Sequence, residues 1–158
     1  MTMDGEAHDI NQWDLIIAHP PCTYLSAAGA VHLFNEYHQI KDKERYEKGL
    51  RAKRFFEEFL NAGCNRIAVE NPVPLKTFHL PKYDQIIQQF MFGDPWQKRT
   101  CLWLKNLPHL TPTDICEPKG YWIGAGKAPN DMISGYRDQK TRSKTFPGIA
   151  EAMAAQWG

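Results

Sequence analysis

Two short stretches carry the side chains best suited to chemistry. In the first, HPPC, Cys22 directly follows Pro20-Pro21; in the second, ENP, Glu70 and Asn71 precede Pro72. Proline donates no backbone hydrogen bond and keeps φ near about −65°. A diproline therefore holds the residue after it at one position, as a nucleophile requires. A cysteine there is either a thiolate nucleophile or a small packing thiol in a tight turn. Glu70 is likewise either an acid in a cleft or a strand-end carboxylate paired with a cation.

The elements around these stretches decide whether they meet. Leu15-Ile16-Ile17-Ala18 is apolar without alternation and reads as a short buried strand stopped by the diproline. Residues 26–39 read as a loop or short helix; His32 and His38 within it suit surface or packing roles better than ligation. From Lys43 to Ala62 the pattern is helical, with Leu50, Ala52, Phe55, Phe56, Phe59 and Leu60 as the apolar stripe and Gly63 as C-cap. Arg66 to Val69 is a second short strand, ending in Glu70-Asn71-Pro72. Strand, helix, strand at this spacing is a βαβ unit with parallel strands. Cys22 and Glu70 are then expected at the same edge of one sheet, where open α/β sheets bind ligands. Ile86–Phe92 and Thr100–Leu104 read as an antiparallel hairpin, residues 106–145 as a long loop, and Pro147–Trp157 as a terminal helix.

Composition narrows the class. The 158 residues, 42% hydrophobic and 23% charged, suit one globular domain. No run approaches the ~20 apolar residues of a membrane span and no signal peptide opens the chain, so a cytoplasmic protein is expected. Cys22, Cys64, Cys101 and Cys116 form no CxxC pair, and the histidines lack ligand spacing, so no metal site is expected. Two basic regions stand out. Residues 41–54 hold seven basic and three acidic side chains, and Arg137, Lys140, Arg142 and Lys144 cluster later. Each is either a phosphate-binding patch or a solvated face.

In order, HPPC-TYLS, VENP, PWQKR and KTFPGIAEAMAAQW resemble the DNA cytosine-5 methyltransferases, most closely their short phage and prophage relatives. In that family a PPC motif carries the nucleophile, ENV the acid and QxRxR the arginines near the target base. The resemblance implies catalytic roles for Cys22, Glu70 and Arg99. It implies substrate-binding roles for Pro21, Ser26, Asn71 and Gln97, and the basic loop with Arg142 and Lys144 is expected to hold phosphates. Such enzymes attack carbon 6 of a flipped cytosine with a thiolate, making carbon 5 able to accept a methyl group from S-adenosylmethionine. A thiol of pKa ~8.5 is only a few per cent ionised at neutral pH, and Arg99 is the candidate to raise that fraction. The departures are Ala18 and His19 before PPC, Thr23 after it, Leu25 before Ser26, ENP for ENV, and Cys101 for the second arginine. An amino-methyltransferase would instead need Asp, Asn or Ser before PP and an aromatic after it; His19 and Cys22 do not fit.

The resemblance covers only the catalytic half of that fold. Nothing upstream of Trp13 matches the cofactor-binding half, and the region after Leu104 is too short for a separate target-recognition domain. The expected fold is thus α/β, a partial Rossmann-like mixed sheet of roughly four strands with covering helices, in one domain over 1–158. Its cofactor-binding residues are unassigned. Strand 14–18 would then be an exposed apolar edge, which invites a homodimer. The alternatives to an active enzyme are a non-catalytic DNA-binding relative and a fragment of a longer phage-type modification protein.

Overall fold

The computed structural model describes residues 13–122, 133–134 and 145–158. The fold is α/β with a mixed four-stranded sheet. In chain order the elements are β1 (Leu15–Ala18), α1 (Ala30–Leu33), α2 (Lys43–Leu60), β2 (Arg66–Pro72), β3 (Gln85–Ile87), β4 (Trp96–Gln97), β5 (Thr100–Lys105), β6 (Gly120–Tyr121), β7 (Ile133–Ser134) and α3 (Pro147–Trp157). The chain divides into two compact units, Met1–Asp84 with Cys101–Pro108 and Gln85–Thr100 with His109–Gly158.

In the first unit β1, β2 and β5 are successive neighbours. β1 and β2 run parallel, in register from Leu15 opposite Arg66 to Ala18 opposite Val69. The start of β1 is tied down by Arg66, whose Nε donates to the Asp14 carbonyl at 3.3 Å, and by Cys64, whose Sγ lies 2.9 Å from the Trp13 carbonyl. β2 is the buried strand, with Ile67, Ala68 and Val69 all at 1% exposure or less. β1 differs from the expected continuous burial: Ile16 and Ala18 are buried while Leu15 and Ile17 are half-exposed. An edge strand is covered less completely than its inner neighbour, and β1 has one strand neighbour among the described residues.

α2 forms the crossover. Asp42 caps it, accepting from the Arg45 backbone N–H at 2.8 Å, which satisfies one of the orphan donors of the first turn. The helix buries Gly49 and Phe56, seven residues apart and so on one line along the axis. Phe56 meets Trp103 of β5 edge-on at 4.9 Å, and the Phe78 ring lies over Gly49. This corrects the expected stripe: Phe55, one residue or about 100° round the helix, is 41% exposed. The cap is also corrected, to Asn61 rather than Gly63.

The two strands of the expected hairpin are neighbours in the sheet, β3 beside β5, but the first is shorter than expected and the connection between them is not a simple turn. β3 stops at Ile87 and a 3₁₀ turn follows over Gln89–Met91, closed by the Phe92 N–H donating to the Gln89 carbonyl at 2.9 Å. Gly93 then takes φ +84°, open to glycine at little cost, and donates to the Asp114 carbonyl at 2.6 Å. The expected linker instead contains β4, which with β6 and β7 forms a small parallel sheet: Trp96 opposite Gly120, Gln97 opposite Tyr121, and Tyr121 opposite Ser134. α3 matches the expected span, opening on Pro147 and burying Ile149, Ala152, Met153 and Trp157. No helix among the described residues is long and apolar enough to cross a membrane.

Candidate active site

The parallel register carries β1 and β2 to one end together, and beyond it the two exit segments are bonded side by side. One residue past the Ala18–Val69 pair, His19 Nδ1 lies 3.0 Å from Glu70 Oε2. Their side chains are 36% and 18% exposed, so the pair sits near the surface rather than in the core. One residue further, the Asn71 side-chain amide donates to the Pro20 carbonyl at 2.9 Å, with Asn71 fully buried. Asn71 Nδ2 thus fixes the diproline carbonyl, while its Oδ1 has no hydrogen-bond partner among the described residues.

The segments stay joined after the strands. The Cys22 carbonyl accepts from the N–H groups of Leu25 and Ser26 at 3.1 and 3.0 Å, closing a tight turn around the cysteine. The Ala27 N–H donates to Val73 at 2.8 Å and the Leu75 N–H to Leu25 at 2.7 Å, with an antiparallel bridge between Ser26 and Pro74. Leu25 is fully buried beneath this seam and Ser26 is 8% exposed. From the helix side, Arg45 Nη2 donates to the Thr23 carbonyl at 2.9 Å and its guanidinium lies over the Tyr24 ring at 5.1 Å. Cys22, half-buried, is therefore carried by a backbone turn fixed from β2, from the 73–75 segment and from α2.

Of the residues expected from the sequence, the first unit brings together Pro21, Cys22, Ser26, Glu70 and Asn71 at this one sheet end. Gln97 and Arg99 belong to the second unit. There Gln97, on β4, accepts the Trp122 N–H at 3.0 Å, and Arg99 is exposed. Beside them Trp122 packs edge-on against both Trp96 and Phe146, each at 5.0 Å. Arg137, Lys140, Arg142 and Lys144 lie outside the described residues. Sequence reasoning missed His19, counted only as a departure from the motif. Its signal is its register: it is the residue that a parallel pairing sets beside Glu70.

The arrangement offers a positioned sulfur, a carboxyl group with an imidazole partner, and a rigid floor. Among the described residues no group of His, Cys, Asp and Glu could hold a metal ion. S-adenosylmethionine, implied by the resemblance, does not fit the described residues either. Only β2 flanks β1 among them, so they set no strand and glycine-rich turn on its other side, and the carboxylate at the strand ends is engaged by His19. Comparison with known proteins finds no matching family model, no matching curated protein and no matching solved structure.

Proposed function

We propose that this chain is a cytoplasmic, cytosine-5 methyltransferase-like protein acting on DNA, built on the catalytic half of a Rossmann-like fold, with Cys22 as its nucleophile. The observation that carries this reading is the bonded pair of strand ends, His19 to Glu70 and Asn71 to Pro20, which sets the PPC and ENP segments side by side. In the reaction the Cys22 thiolate adds to carbon 6 of an extrahelical cytosine. The carbon 5–carbon 6 electron pair moves to form a double bond between carbons 4 and 5. N3 takes up the displaced pair and a proton from Glu70, which His19 orients and resupplies with a proton from solvent. Asn71 keeps the diproline, and with it Cys22, from shifting during attack.

No methyl-transfer step is assigned to the described residues. S-adenosylmethionine enters the reading only as a donor held elsewhere, and titration calorimetry with that compound tests it. The addition step has its own readout. With no donor, carbon 5 of the adduct accepts a solvent proton, then loses its original hydrogen as the carbon–sulfur bond breaks. Incubating cytosine DNA in D₂O should therefore deuterate carbon 5, and Cys22→Ser should abolish that uptake. DNA binding should persist in the same variant. Binding without exchange would instead identify the non-catalytic relative. A homodimer through β1 belongs to the same reading, supported by that strand having one strand neighbour among the described residues.

A further inference from the structure

α2 keeps one stripe turned outward. Lys48, Arg51, Ala52 and Phe55 stand at i, i+3, i+4 and i+7, a single helical face. Across from them are Pro21, immediately before Cys22, and Tyr24, two residues after it. Together the six line a shallow, open groove of about 440 Å³. Phe55 stays 41% exposed here, although the buried line of the helix is one residue away. Arg45, one turn earlier on the same stripe, is committed to Thr23 and to the Tyr24 ring, and so props that ring as a wall. Lys48 Nζ is 2.6 Å from Glu44 Oε1, whereas Arg51 makes no ion pair among the described residues.

Cations alternating with aromatic rings suit single-stranded nucleic acid, which offers a phosphate and a flat base at each step. An acidic peptide would satisfy the cations but offer the exposed Phe55 ring no flat partner. We infer that the groove between α2 and the Pro21–Tyr24 turn is a nucleotide subsite. It takes the residue adjoining the cytosine presented to Cys22, its phosphate meeting Arg51 and Lys48 and its base lying against Phe55 and Tyr24. This rests on the proposed function and extends it, giving the basic helix 43–60 a role of its own: it holds the strand next to the target.

The test is fluorescence anisotropy with a labelled single-stranded oligodeoxynucleotide containing cytosine, over a range of salt concentrations. The proteins are the wild type, Arg51→Glu with Lys48→Gln, Phe55→Ala, and Lys82→Glu as an exposed basic control outside the groove. Circular dichroism and melting establish that each is folded. The groove variant should bind at least about ten-fold more weakly, with a salt slope shallower by about 0.7 for each lost phosphate contact. Phe55→Ala should lose about ten-fold with the salt slope unchanged, as removal of a stacking surface requires. Lys82→Glu should bind as the wild type does. If the wild type binds and the groove variants bind equally well, the subsite is wrong while the DNA reading stands. If Lys82→Glu weakens binding as much as the groove pair, the attraction is diffuse and the subsite is again wrong. If the folded wild type binds no DNA, the proposed function fails and takes the subsite with it.

Discussion

At the scale of single residues, the strand-end bonds separate roles that composition alone leaves merged. Asn71 is fully buried and its amide is the donor that the Pro20 carbonyl receives. Asn71→Ala leaves that carbonyl short of its partner, which should cost about 1–3 kcal/mol in a denaturant titration. It should also slow deuterium uptake at carbon 5 of cytosine DNA, because the turn carrying Cys22 loosens. His19→Ala should behave differently. His19 is 36% exposed, so stability should change little, whereas deuterium exchange at carbon 5 should slow because Glu70 loses its orienting partner. If exchange is as fast in His19→Ala as in the wild type, the imidazole has no part in the reaction. Arg99 is exposed in the second unit, and Arg99→Ala should fold normally while deuterium uptake at carbon 5 slows, which tests the role that the resemblance implies.

At the scale of elements, α2 is held by shape as much as by propensity. Alanine is about 1 kcal/mol better than glycine in a helix interior, yet at Gly49 the added methyl would overlap the Phe78 ring. Gly49→Ala should therefore destabilise by about 1–3 kcal/mol, against the propensity gain, as overpacking does. With about 2–4 °C per kcal/mol at this chain length, the loss is readable by thermal melting. The same helix carries a charge prediction. The Glu44 carboxylate, by hydrogen bond and then by charge, raises the Lys48 ammonium above its ordinary 10.5. A raised amine stabilises the fold fully below 10.5, and the gain fades as pH climbs through the raised value. The Lys48 side chain is 40% exposed and its pairing with Glu44 is screened by solvent, so the expected signature is a titration rather than a melting shift: Glu44→Gln should move the Lys48 midpoint by NMR back toward 10.5.

For the whole molecule, the assembly question turns on the β1 edge. Exposed strand edges template pairing with another chain, and a four-residue strand with two half-exposed apolar side chains is a modest template. Multi-angle light scattering should return twice the 18.2 kDa chain mass at micromolar concentration. A single-chain mass across that range would remove the dimer and leave the strand-end chemistry untouched, because every bond at that site lies within one chain.

Sequence alone determined the parallel β1–α2–β2 arrangement and the placing of Cys22 and Glu70 at one sheet end. Those features are coded locally: an apolar run, a proline stop, an amphipathic helix of crossover length, and a chirality rule that leaves one topology. It did not determine which aromatic faces inward on α2, since Phe55 and Phe56 are alike in type and only the packing of Phe56 on Trp103 chooses between them. Nor did it foresee the β4–β6–β7 sheet, whose strands are two residues each and too short to show a period. The pairing of His19 with Glu70 and of Asn71 with Pro20 joins positions 51 apart in the chain. Such partners are set by register across a sheet, a long-range quantity with no local signature, and so only the tertiary structure decided them.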